Sequence, residues 1–294
     1  MNKLKVLDKT PFPWFGRKQK VAHLVWQALG NVNAYTEPFG GSAAVLLARP
    51  KGHGVRVESY NDDDGLLVNF WRAVKAVPDE VAQHCSDPPY ELTKHARHKA
   101  LWNAKDVLVE RLRADPEWYD AKYAGWWVWL VCISLGDNWQ HKNDASAPIL
   151  CPDYNAMGLV NFRVDELATC RALALRLSSV RVTCGDWRRV VSSACLHRRM
   201  HGIFLDPPYS KTRKVYANKK DIAEDVARWA IAEGVKHSRR IVSCGYVNDS
   251  AHKIYADAGW RQVAWKASAG YARKTNTKER LYLSPHCLEV EGAL

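Results

Sequence analysis

Strand–helix alternation that stops and later resumes is the feature that most constrains this chain. Up to residue 77, and again after residue 170, short Val/Ile-rich runs alternate with apolar-periodic segments; between them no such alternation is evident. Alternation of this kind implies a mostly parallel sheet covered by helices, and the single break implies a module inserted into one α/β domain. The expected division is a first catalytic part over 1–77, an inserted, mainly helical domain over 78–170, and a second catalytic part over 171–294.

Locally, residues 32–36 read as a strand entering the turn Phe39-Gly40-Gly41-Ser42, with Ser42 placed to cap a helix running to residue 49. Residues 55–60 alternate as a strand, and 66–77 form an apolar-periodic helix after three successive Asp. In the middle, 91–113 is a long basic helix and 119–135 a Trp-rich one whose indoles, at helical spacing, should be mostly core; 137–162 reads as loop. Afterwards 180–184, 202–205 and 240–246 are strands, 221–233 and 250–258 are helices, and 260–266 with 279–284 close the sheet as a hairpin through 271–277.

Composition removes several classes. Apolar residues make up 47%, enough for a packed core. The longest apolar stretch, 124–135, is well short of the roughly 18–20 residues that span a bilayer. No apolar segment of the secretory kind opens the chain. The 8 Cys contain no C-x-x-C pair, so neither a zinc ribbon nor a disulfide framework is expected; reduced thiols and a cytoplasmic location are. The 43 Lys+Arg against 31 Asp+Glu give a net charge of +12, and the basic clusters are interleaved with aromatics that include 13 Trp. Cations beside aromatic faces suit a nucleic acid.

Three motifs carry chemistry. Glu37-Pro38-Phe39-Gly40-Gly41-Ser42 puts a Gly turn between a strand and a helix, which allows close backbone approach to a ligand. Asp62 ends the next strand, where nucleotide-binding sheets hold ribose hydroxyls; Asp63 or Asp64 can cap the following helix instead. Asp206-Pro207-Pro208-Tyr209 directly follows the apolar strand 202–205. Its prolines stiffen the turn. An amine held between the Asp206 carboxylate and a backbone carbonyl has both N–H groups engaged, so its lone pair localises on nitrogen and can attack an electrophile. Tyr209 offers a face for stacking a planar base. The same tetrapeptide recurs as Asp87-Pro88-Pro89-Tyr90, but after no strand and before a helix, where Asp and Pro start the helix. The functional copy is therefore expected at 206–209.

In combination and in order, these motifs resemble the D12-class, Dam-like DNA adenine-N6 methyltransferases of bacteria and phages, over most of the chain outside the middle segment. The resemblance implies a Rossmann-like S-adenosylmethionine-dependent sheet and direct methyl transfer to the exocyclic N6 of a flipped-out adenine. It implies cofactor contacts from Trp14 and Lys18 in Pro13-Trp14-Phe15-Gly16-Arg17-Lys18, and from Glu37, Phe39, Gly40 and Gly41, with Ala43 standing where the family often has Gly. Asp62 would bind the ribose, Asp186 of Gly185-Asp186-Trp187 would lie near the cofactor adenine, and Asp206, Pro207, Pro208 and Tyr209 would be catalytic, Asp206 also meeting the cofactor. The run Glu279-Arg280-Leu281-Tyr282-Leu283-Ser284-Pro285 is similar to the family's closing strand.

The resemblance further implies that the insert is a target-recognition domain for double-stranded DNA. Lys94, Arg97 and Lys99 are expected to contact phosphates, Trp139 to wedge into or stack on bases, and Lys211, Arg213 and Lys214 to hold phosphates around the extruded base. No metal or membrane is implied, and a cognate restriction endonuclease is a candidate partner. Other readings stand beside this one: a cytosine-N4 methyltransferase, which usually has Ser in place of Asp206; a DNA-binding relative without catalysis; and an enzyme acting on RNA or nucleosides. A cytosine-C5 enzyme would need a nucleophilic Cys after Pro, and the chain has only the reverse order, Cys151-Pro152.

Overall fold

The computed structural model describes residues 10–14, 16, 18–88, 90–134, 166–196, 199–208, 222–265 and 279–290. In chain order the elements are α1 (Ala22–Leu29), β1 (Ala34–Glu37), α2 (Ala44–Leu47), β2 (Val57–Asp62), α3 (Gly65–Ala76), α4 (Pro78–Cys85), α5 (Glu91–Ala114), α6 (Ala121–Ile133), α7 (Glu166–Leu177), β3 (Val180–Cys184), β4 (His201–Leu205), α8 (Ile222–Gly234), β5 (Arg239–Tyr246), α9 (Ser250–Asp257), β6 (Arg261–Ala264) and β7 (Glu279–Leu283). The strands form one seven-stranded sheet in the order β3-β2-β1-β4-β5-β7-β6. This is the doubly wound order 3-2-1-4-5-6 with one strand added between the fifth and sixth. β1, β4 and β5 pair in parallel, whereas β7 runs antiparallel to both β5 and β6. The expected α/β sheet with an antiparallel edge is thus present.

The chain divides into two compact units, Met1–Arg17 with Gly41–Leu47 and Tyr60–Trp187, and Lys18–Gly40 with Ala48–Ser59 and Arg188–Leu294. In the first unit, α3 packs against α4, α5, α6 and α7. Asp64 caps α3, its Oδ1 accepting from the amides of Leu66 and Leu67 at 3.0 and 3.4 Å. Two buried polar residues of α3 fasten the neighbouring helices. Asn69 and Asp120 exchange hydrogen bonds at 2.8 and 2.7 Å, and Asp120 also caps α6 through the Tyr123 amide. Arg72 donates to the carbonyls of Val182, Asp115 and Trp118. These bonds tie α3 to β3 and to residues 115–120 of the expected insert, all within the first compact unit. Trp127 and Trp129 are core, as helical spacing requires.

In the second unit, every residue of β4 is buried. Gly202 packs closely there: a Cβ would lie 3.1 Å from a Val32 methyl carbon, tighter than ordinary contact. α1 packs on β4 and β5, and α8 packs on β5 and α9. β1 begins two residues later than the alternation indicates, at Ala34, and the helix after the Gly turn is only Ala44–Leu47. The expected loop 137–162 and hairpin turn 271–277 lie outside the described residues.

Candidate active site

In a doubly wound sheet, ligands bind beyond the carboxyl ends of the strands, where the strand order reverses. Here that point lies between β1 and β4, which pair through Ala34↔His201, Tyr35↔Gly202 and Thr36↔Ile203. Glu37 closes β1, 1% exposed, and Tyr35 donates to its Oε1 at 2.5 Å. Asp206 follows β4 immediately, with Pro207 buried behind it.

Lys18 reaches this end of the second unit from the turn before α1. Its Nζ lies 2.8 Å from Asp206 Oδ2 and 3.1 Å from Glu279 Oε1, and the side chain is 4% exposed. Burial opposes the Lys18 cation, but the charge of Asp206, with further contributions that include Glu279, more than offsets this and raises its pKa. On β5, burial raises the Cys244 thiol and the Tyr246 phenol, and the Asp206 and Glu279 carboxylates push both further in the same direction. Lys18 and Asp206, picked separately from the sequence, are therefore ion-paired. Glu279, which the sequence marks only as part of the closing strand, joins them. The signal was present as an acidic residue opening the otherwise apolar-rich run Glu279-Arg280-Leu281-Tyr282-Leu283.

The first unit carries the other set. Gly41 has φ +49, and a Cβ there would meet the Trp14 indole nitrogen at 3.0 Å, so backbone conformation and close contact both favour glycine. The Gly41 amide donates to Asp62 Oδ2 at 2.9 Å, and its carbonyl accepts from Tyr60 Oη at 2.7 Å and Trp71 Nε1 at 3.1 Å. Asp62 Oδ1 accepts from the Asp64 amide at 3.0 Å. Burial raises the Asp62 pKa to about 6, against the pull of the Asp64 and Gly41 amides. Asp186 is exposed just beyond β3. Its turn is tied to β2, with the Gly185 amide on the Asp62 carbonyl at 2.9 Å and Asn61 Nδ2 on the Gly185 carbonyl at 2.9 Å. Behind Trp14 stand Phe12 and Trp127, with ring centroids 5.9 and 6.2 Å away.

The remaining residues divide differently from expectation. Lys94 and Arg97, expected to contact phosphates, are both buried and ion-paired within the protein. Lys94 is 2% exposed and paired with Glu91. Arg97 is buried, paired with Asp87, and lies over Trp129 and Trp126 at 4.5 and 5.3 Å. Only Lys99 of the three is exposed. Asp87 is also not a helix cap. The cap position of α5 is Tyr90, without a side-chain bond, while the Asp87 carbonyl accepts from Trp129 Nε1 at 2.7 Å. Tyr209, Trp139, Lys211, Arg213 and Lys214 lie outside the described residues.

The fold is mixed α/β with a mostly parallel seven-stranded sheet, compatible with a Rossmann-like α/β protein. No protein-family model matches the chain, and a search of curated proteins found no match either.

Proposed function

We propose that this chain is an S-adenosylmethionine-dependent DNA methyltransferase acting on the exocyclic N6 of adenine. The observation that carries the reading is the position of Asp206-Pro207-Pro208, directly after β4 at the point where the strand order reverses, with Asp206 ion-paired to Lys18. An Asp carboxylate and a neighbouring carbonyl can accept both hydrogens of an aromatic amine, which localises the nitrogen lone pair. The base must leave the duplex to reach such a site, at a cost of a few kcal/mol of unstacking.

The residues fit the cofactor on chemical grounds. Asp62 is an acceptor for ribose hydroxyls, and its hydrogen bond to Gly41 fixes the turn that leads into α2. Gly41 and the Trp14 indole form a cradle that a single Cβ would fill. When bound, S-adenosylmethionine supplies a methyl group on a sulfonium. Double-stranded DNA as partner is supported by the net charge of +12. Among the described residues no helix is long and apolar enough to cross a membrane, and no group of three or more His, Cys, Asp or Glu could hold a metal ion.

The test is incubation of the full chain with methyl-labelled S-adenosylmethionine and unmethylated duplex DNA. The expected product is labelled DNA whose digestion returns N6-methyladenine. Label in N4-methylcytosine would reassign the base, and DNA that is bound but never labelled would make the chain a binding protein.

A further inference from the structure

We infer that Glu279 is a positioning residue for Asp206, acting through Lys18; the inference rests on the reading of Asp206 as the group that receives the target amine. Lys18 Nζ sits between the two carboxylates, 2.8 Å from Asp206 and 3.1 Å from Glu279. Lys18 and Glu279 are each 4% exposed. The three residues come from the turn before α1, the end of β4 and the start of β7.

Strand direction is what makes the trio. Parallel β1 and β4 bring only their last residues to the ligand end of the sheet. β7 runs antiparallel to β5, and its first residue, Glu279, pairs with Tyr246, the last residue of β5. An acidic residue opening β7 is thereby delivered beside Asp206's partner. An ammonium has three donors on a flexible stem. Held by Asp206 alone it could follow that carboxylate through several rotamers; held by Glu279 as well, it presents one N–H to Asp206 from a fixed direction.

Among the described residues, the charges that bear on Lys18 include Asp206, Glu279 from β7 and the titratable Cys244 of β5; Tyr246, also on β5, feels Asp206, Lys18 and Glu279 together with Asp249 before α9. Glu279→Gln keeps the shape and an acceptor for Lys18 but removes one negative charge. Glu279→Ala removes that acceptor altogether, so the two variants separate the hold on Lys18 from the charge of Glu279.

The experiment has two arms. In the first, the Asp206 carboxyl carbon-13 signal is recorded at one neutral pH in the parent and in Glu279→Ala, without cofactor or DNA. The expected result is a shifted and broadened signal in the Ala variant, as Lys18 samples more than one position against Asp206. In the second, Glu279→Gln and Glu279→Ala are assayed for DNA methylation, with circular dichroism as the folding control. The Ala variant should lose about tenfold or more in kcat while KM for S-adenosylmethionine changes little, and the Gln variant, which keeps an acceptor for Lys18, should recover most of that loss. A parent that never methylates DNA removes the functional reading but leaves the first arm intact. An Asp206 carboxyl signal that is the same in parent and Ala variant overturns the inference, as does a folded Ala variant whose kcat matches the parent.

Discussion

The chain spells Asp-Pro-Pro-Tyr twice, and the two copies do different work. Asp87 lies between α4 and α5 of the first unit, 56% exposed, and serves as counter-ion to the buried Arg97 while its carbonyl holds an indole. Asp206 leaves the carboxyl end of a fully buried strand, 20% exposed, and meets a buried lysine that a second carboxylate shares. Four residues are the same; what differs is the element that delivers them. A strand end at the reversal of a doubly wound sheet offers its carboxylate to a ligand, whereas a helix approach offers it to the helix's own side chains.

The most severe way to break this contrast is to remove each carboxylate in turn. Asp206→Ala should lower kcat for DNA methylation by about 10²–10³ or more, in line with losing one oriented charge-stabilising group, with S-adenosylmethionine affinity nearly unchanged. Asp87→Ala should retain the parent rate. The contrast collapses if the rates come out the other way round.

Asp62, also at a strand end, sharpens it. Asp62→Ala should weaken S-adenosylmethionine binding by about 1.5–3 kcal/mol in calorimetry, and the fold should persist because Asp64 caps α3 independently. Ionised Asp62 is the better acceptor, and its pKa is raised from 3.8 to about 6, so parent affinity should fall as pH drops through about 6. For stability the sign is opposite. The folded state binds this proton more tightly than the unfolded chain, so Asp62's contribution becomes less favourable as pH rises from about 3.8 to about 6. Asp62→Asn should remove that slope from pH-dependent melting, and an undiminished slope would assign it to another group.

The structural role of the first copy predicts a smaller effect. Asp87→Ala should destabilise the protein by about 1–2 kcal/mol in denaturant titration, since it leaves Arg97 buried without its carboxylate. A loss no greater than that of an exposed substitution would mean that the Trp126 and Trp129 faces suffice for Arg97. Smallest of all is Ala43→Gly. Ala43 sits at φ +54, where a Cβ is strained, and glycine should add about 0.5–1 kcal/mol after its greater freedom in the unfolded chain is subtracted.

Much of the sheet was legible because period and caps are local. β3 spans the residues its alternation indicates, and Asp64 caps α3 as one of three adjacent Asp was expected to. α1 was not anticipated. Its sequence Ala-His-Leu-Val-Trp-Gln-Ala-Leu is buried on most sides, and Val21 before it makes no capping side-chain bond, so neither a polar face nor a start signal marks it. The basic run after residue 90 misled for a related reason. Composition reads Lys94 and Arg97 as solvated, but Arg97 is neutralised by Asp87 and covered by indoles of α6, partners that only tertiary packing supplies. The Lys18–Glu279 pair joins opposite ends of the sequence, and no local pattern could announce it.

The Gly41 turn is fastened on both its faces: Asp62 takes the amide, and Tyr60 with Trp71 takes the carbonyl. Two successive peptide planes are therefore set during folding, and neither can flip without giving up a bond made inside the protein. The entropy of ordering this turn is spent before any small molecule arrives, which leaves more of the contact energy to appear as affinity. It also spreads responsibility for that affinity to side chains that need never touch the ligand. Tyr60→Phe loosens one plane and Trp71→Phe the same plane from another side, so each should slow association and make the heat-capacity change of binding more negative, as a loop that folds around its guest would.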